Sequence, residues 1–186
     1  MHLDLFLFFL YGIPCEFLVS LAPHEPAVLY MATRYAPVVV ALVAGAGTLV
    51  AEVVNFELLR RLRATTAVDR LSRARMVHHL SRAFGRAPFA SLWIAGFVPV
   101  IPFSPLRVVV AISRYPRARY LTAAVTSRTA RFYLVALLGE AIRPSPLAIA
   151  ALFVVLLLAM TIPGAYHYLA RGGFSTLTPA DSSEET

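Results

Sequence analysis

Residues 87–113 read APFASLWIAGFVPVIPFSPLRVVVAIS. The stretch is apolar over a length that suits a bilayer crossing, which takes about 20 helical residues. Yet Gly96, Pro99, Pro102 and Pro105 interrupt it, and proline inside a helix removes a backbone donor and kinks or breaks the helix. Arginine stands on both sides, with Arg82 and Arg86 before and Arg114, Arg117 and Arg119 after. Arginine-rich flanks stay on the cytoplasmic face of a membrane. A segment with both ends on one face enters and returns, and the prolines supply the turn. Irregular backbone at membrane depth survives only where protein buries it or where it lines a water-filled cavity. The stretch is therefore expected to be a re-entrant hairpin in an all-α integral membrane protein.

The rest of the chain fits that solvent. Of 186 residues, 59% are hydrophobic and the mean hydropathy is +0.70, against about 45–50% apolar in a soluble domain. The first apolar block, 5–22, is interrupted by Gly12, Pro14 and Glu16 and closed by Pro23-His24-Glu25-Pro26. The second runs over 27–54 and is cleanest from Val38 to Val50. Residues 55–86 then carry eight arginines against Glu57 and Asp69, with Leu58, Leu62, Leu71 and Leu80 between them. That pattern predicts an amphipathic helix on the cytoplasmic surface. A block from Tyr120 to Ile142 holds Arg128 and Arg131, and Leu147 to Pro163 is the plainest spanning helix.

One membrane domain is expected over 1–163. It comprises a first half (5–54), the basic segment (55–86), a second half (87–142) and a last helix (147–163); 164–186 form a disordered tail. Each half reads as a broken hairpin followed by a spanning helix, in opposite orientations. Inverted repeats with broken helices meeting at midplane are a transporter architecture. For the first block, a kinked full crossing is the alternative.

The formal charge is +7, and all seventeen basic residues are arginine. The missing lysine reads as codon bias of a GC-rich genome, ahead of a use of the planar guanidinium fork for phosphate oxygens. The pI of about 10.2 points to anionic lipid surfaces in so apolar a chain, not to nucleic acid. Cys15 excludes an internal disulfide and reads as packing, and no cleavable signal peptide is expected after Met1-His2-Leu3-Asp4. His78-His79 lack a carboxylate at ligand spacing, so no metal is expected. No nucleophile elbow or phosphate-binding glycine loop occurs, so neither a cofactor nor an enzyme is expected.

Three stretches resemble a known family. The first is Pro23-His24-Glu25, a Pro-small-acidic motif with His where Gly or Ser is usual. The second is Gly47-Thr48-Leu49-Val50-Ala51-Glu52 followed by Phe56-Glu57-Leu58-Leu59-Arg60. The third, the most specific, runs from Gly96 to Phe103, then Val110-Ala111 and Arg114 to Tyr120, with Arg128 and Gly139 further on. Together these are similar to the DedA superfamily, also called the VTT-domain or SNARE-associated Golgi protein family, over roughly 14–139. Gly96 stands where the family usually has Arg, and Ala51, Leu59 and Ala111 replace Gly. The resemblance implies two facing re-entrant hairpins, movement of phospholipid or polyprenyl phosphate between leaflets, and a proton-coupled role in bacterial members. It implies a multi-pass protein of the cell membrane, bacterial in the plasma membrane, with anionic or phosphate-bearing lipids as partners and a homo-oligomer left open.

Ionisable groups at membrane depth are costly and mark function by default. Glu25 leads, as a proton or headgroup site or else a solvated loop residue. Glu16 has the same two readings. Glu52 follows the small pair Gly47 and Ala51 and either serves the site or pairs with an arginine structurally. Arg128 and Arg131 are three apart and share a helix face with Thr126, Ser127 and Thr129 around them. That face is a phosphate site or a snorkelling pair, and Arg107 is a third cation. Pro14, Pro23, Pro99, Pro102 and Pro105 are the expected hairpin breaks. The leading expectation is a lipid translocator, and the alternative is a non-transporting scaffold or assembly factor. An intramembrane enzyme acting on lipid phosphates comes third, without a visible nucleophile.

Overall fold

The computed structural model describes residues 2–17, 22–62, 81–82, 84–98, 103–113 and 115–172, with side chains among these from 3 to 159. Every regular element among the described residues is a helix. They are α1 (His2–Cys15), α2 (Glu25–Ala32), α3 (Pro37–Leu62), α4 (Pro88–Phe97), α5 (Phe103–Ser113), α6 (Arg117–Ile142) and α7 (Pro146–Gly172). The order is two short helices and a 26-residue helix, repeated once, before α7.

Prolines start these helices more often than they break them. Pro37, Pro88 and Pro146 open α3, α4 and α7, where their missing N–H costs nothing and their fixed φ suits the helix. Pro105 was expected to break the third block, but it lies in the first turn of α5 for the same reason. The break comes earlier. Val98 is extended (φ −87°, ψ 113°) and its N–H still closes on the Ile94 carbonyl at 2.8 Å; the following Pro99 pushes it out of the helical region. Pro99 and Pro102 lie outside the described residues. Pro14 sits within the last turn of α1, and the chain leaves the helix just after it, at Glu16 and Phe17. Pro23 is in the link to α2, and its carbonyl accepts the Tyr11 hydroxyl at 2.9 Å. Ser145 caps α7 through the Ala148 N–H at 3.2 Å.

Three expected boundaries move. α3 continues past 54 to Leu62, because Glu52, Asn55 and Leu59 keep one buried face at helical spacing. The expected basic segment thus shares 55–62 with α3, and 63–80 lie outside the described residues. α6 starts at Arg117 after Pro116, ahead of the expected Tyr120. α7 passes Pro163 and ends at Gly172, inside the segment expected to be a disordered tail. One lost donor does not stop a helix whose flanking turns keep theirs; 173–186 lie outside the described residues.

α3 and α6 form the central pair. Gly45 faces Thr129, and Tyr120 reaches Glu52; rising numbers on one meet falling numbers on the other, so the two run antiparallel. A Cβ at Gly45 would strike Thr129 Oγ1, which is how the backbones come so close. α1 runs parallel to α3, with Phe9 and Gly12 at Gly47 and Glu16 at Asn55. α2 runs along α6, with His24 at Phe132 and Ala32 at Gly139. α1 and α2 are thus an out-and-back helical hairpin. α4 and α5 form another from the opposite end. Gly96 lies on Ser127 and Phe103 beside Arg128, while Phe84 and Tyr115 meet where the hairpin opens. The hairpins exchange partners: α2 packs on the long helix of the second half, α5 on that of the first.

Two apolar clusters fill the ends. One joins Phe8, Val28, Met31, Val40, Ala44, Phe132 and Ala136. The other joins Phe84, Leu92, Phe103, Leu106, Val110, Tyr120 and Ala124. Between them on both long helices lie Glu52 and Arg128. The outside is apolar too: Leu42, Leu49 and Val54 on α3, Leu134 and Leu138 on α6, and Leu147 and Val155 on α7 are exposed. α3 is about 39 Å long and is long and apolar enough to cross a membrane. α6 has the same length but carries Arg128 and Arg131 in its middle.

Candidate functional site

The end of α1 and the start of α5 reach the middle of the α3–α6 pair, and four ionisable groups meet there. Glu52 of α3 is fully buried, and Arg107 of α5 and Arg128 of α6 are each 4% exposed. Glu16, where α1 ends, is 11% exposed. Arg107 embraces Glu52, donating from Nη2 to Oε1 at 2.5 Å and from Nε to Oε2 at 3.2 Å. Arg128 Nη1 lies 2.5 Å from Glu52 Oε1 and 2.5 Å from Glu16 Oε2, bridging the two carboxylates. The Tyr120 hydroxyl donates to Glu52 Oε2.

The broken backbone is satisfied by the same side chains. The Glu16 carbonyl, left open by the end of α1, accepts from Arg107 Nη2 at 2.9 Å and from Asn55 Nδ2 at 2.8 Å. The Phe17 carbonyl accepts from Arg107 Nη1 at 3.4 Å. An arginine from the second hairpin thus ties down the end of α1. Phe103, at the start of α5, lies under both guanidiniums, 4.4 Å from Arg128 and 5.2 Å from Arg107 to its ring centroid.

Two carboxylates and two guanidiniums balance in charge. Burying each ion costs several kcal/mol, repaid only by good geometry and full hydrogen bonding. The remaining candidates form a second pair at the edge of this cluster, Glu25 at the start of α2 with Arg131 of α6. Arg128 and Arg131, expected to form one cationic face, therefore hold different partners. The carboxylates Glu16, Glu25 and Glu52 all come from the first half, and Arg107, Arg128 and Arg131 all come from the second.

A model of the VTT domain matches residues 22–141. The chain belongs to the VTT domain family. This is the domain of the DedA and SNARE-associated Golgi family, which is membrane-associated and linked to membrane transport. No curated protein and no solved structure matches the chain. The VTT domain takes in α2 to α6, hence Glu25, Glu52, Arg107, Arg128 and Arg131, while α1 and Glu16 precede it.

Within the VTT domain, Gly96 occupies the position where the resemblance sets an arginine. A Cβ there would meet Ser127 Oγ, so this packing of α4 on α6 has no room for a side chain. The buried cations are instead Arg107 in α5 and Arg128 in the middle of α6. Sequence reasoning passed over Tyr120, Asn55 and Phe103 as site residues. Tyr120 and Phe103 were visible only as parts of the aromatic-basic and proline motifs, and Asn55 stood on the wrong side of an expected boundary. The described surface grooves, of about 310, 460 and 430 Å³, are lined by other and largely apolar residues.

Proposed function

We propose that this VTT-domain chain is a multi-pass membrane protein that moves phosphate-bearing lipids between leaflets. α1–α2 and α4–α5 would be re-entrant hairpins from opposite faces of the bilayer. The observation that carries the reading is the place of the charges. Four ionised groups sit where two broken hairpins meet, halfway along two antiparallel long helices with apolar outer faces. A core that only had to be stable would gain from apolar side chains there, and intramembrane charge is a functional hypothesis by default. A headgroup crossing at this level would exchange water for guanidinium and irregular backbone while its tails remained in hydrocarbon. The lipid undergoes no chemical step in this proposal. Its partners are anionic or phosphate-bearing lipids, and its setting is the cell membrane.

One observation favours a second reading. All six candidate charges are mutually paired, as in a scaffold or assembly factor whose ions only fix its shape. Transport separates the two. Purified protein in vesicles should speed headgroup crossing of labelled phosphatidylglycerol or polyprenyl phosphate above empty vesicles. Arg128→Ala with Arg131→Ala should remove most of that rate in protein that still elutes as a folded species. Folded wild-type protein with no crossing of either lipid would leave the scaffold.

A further inference from the structure

The start of α1 meets the chain just past α2 at the end of the bundle where α6 gives way to α7. Asp4 Oδ2 and Arg34 Nη1 lie 3.9 Å apart there, each side chain 52% exposed. The Arg34 guanidinium rests over the Tyr30 ring at 4.6 Å. The pair is wider than a hydrogen bond, and a carboxylate and a guanidinium so placed keep bonding sites to spare. Below it, two apolar grooves run down the two sides of α2. One, of about 310 Å³, lies between α1 and α2, with Leu7, Phe8 and Met31 in its walls and Asp4 and Arg34 at its mouth. The other, of about 460 Å³, lies between α2 and α7, with Pro26, Pro146, Ala150 and Phe153 in its walls. Tyr11, Ala27 and Tyr30 line both, so the grooves adjoin across one ridge.

Both grooves open at the same end and reach a similar depth. From Asp4 to Tyr11 the first descends roughly 10 Å, and from Pro146 to Val154 the second descends roughly 12 Å, at the helical rise. The hydrocarbon of one leaflet is about 15 Å deep. At the bottom, the Pro23 carbonyl holds the Tyr11 hydroxyl. Behind Tyr11 and Phe8 the buried His24 ring packs on both and on Phe132, at centroid distances of 6.1, 5.4 and 4.7 Å. This aromatic floor stands between the grooves and Glu16 of the ion cluster. α2 is the main neighbour of α7 among the described residues, so the second groove runs along the seam that holds α7 to the bundle.

We propose that this face binds a diacyl phospholipid whose headgroup carries both a phosphate and an ammonium, as a fixed wedge between α1, α2 and α7. Two adjoining grooves of nearly leaflet depth take the two acyl chains of one lipid. The open Asp4–Arg34 pair is complementary to a headgroup of both charges: the Arg34 fork takes the phosphate, and Asp4 accepts from the ammonium. A headgroup that is only anionic would set its negative charge beside Asp4 with nothing to offset it. The aromatic floor closes the way to the ion cluster, so the lipid is held and not carried. The inference rests on the membrane setting of the proposed function and is independent of its transport.

Protein purified in detergent is offered equal amounts of phosphatidylethanolamine and phosphatidylglycerol, and the retained lipid is identified by native mass spectrometry. The wild type should retain phosphatidylethanolamine over phosphatidylglycerol by about 5-fold, which is what one exposed ion pair provides. Asp4→Asn should bring the two lipids level. Ala150→Phe, at an exposed position in the wall of the α2–α7 groove, should lose both lipids with the charge pair intact. Equal retention of the two lipids by the wild type overturns the proposal. So does a preference that survives Asp4→Asn, or retention that survives Ala150→Phe. A wild-type dimer that holds no lipid and that Ala150→Phe splits also overturns it, and gives the face to a second copy. The crossing assay is run on the same protein. Retained phosphatidylethanolamine in protein that moves no lipid upholds the site and ends the translocation reading, while crossing without retained lipid overturns the site alone.

Discussion

Replacing Glu52 with glutamine keeps the size of the side chain and one acceptor but removes a charge that two buried guanidiniums share. Arg107 loses its bidentate partner and Arg128 keeps only Glu16. The cluster goes from neutral to one excess positive charge in a site with Glu52 fully buried. Breaking one side of a buried ion pair costs about 3–5 kcal/mol. For a chain of this size that corresponds to a fall in melting temperature of roughly 6–20 °C. The informative measurement is the double variant. Glu52→Gln with Arg107→Gln restores neutrality, since Arg128 and Glu16 remain as a pair. It should therefore recover a large part of what the single change lost. Thermal unfolding of detergent-solubilised protein, followed by the fluorescence of a thiol dye at Cys15 or by loss of the monodisperse peak, gives the three values. If the two single losses simply add in the double variant, the groups are not coupled and the charge-balance argument is wrong.

Two further outcomes follow from the fold. With Cys15 replaced, single cysteines placed near Arg86 and near Arg117 should both be labelled from the same side of the membrane, because α4 and α5 go out and back; labelling from opposite sides would mean a full crossing. Gly96→Ala should destabilise by about 1–3 kcal/mol through overpacking, and Ser127→Gly in the same chain should recover most of the loss in a melting experiment. No recovery would show that α4 does not rest on α6 at Ser127.

Much of this arrangement was legible in the residues because apolar blocks make their exceptions visible. Charge inside apolar blocks is rare enough that Glu16, Glu25, Glu52, Arg107, Arg128 and Arg131 stood out individually. Their pairing was not legible, since it depends on how four helices pack. Glu16, the weaker of the two hairpin acids on sequence grounds, is at the centre, and Glu25, the stronger, is at the edge. Pro105 was misread because a proline in a first turn and a proline in a break look alike in sequence. The end of α3 was misread because arginines at 60 and 61 signal surface, while Asn55 and Leu59 keep the opposite face buried. His24 was quoted in a motif, yet nothing local distinguishes a caged imidazole from a solvated one.

The division of charge between the halves has a consequence during synthesis. Glu16, Glu25 and Glu52 leave the ribosome first, and Arg107 follows Glu52 by 55 positions. At about 5–20 residues per second that is a wait of roughly 3–11 s. Over that interval α1 to α3 hold carboxylates whose counter-ions do not yet exist. In the membrane arrangement proposed above, the nascent first half stays hydrated, protonated or in the care of the insertion machinery until α5 and α6 arrive. It is one component of an assembly that completes itself only when the same polypeptide delivers the other.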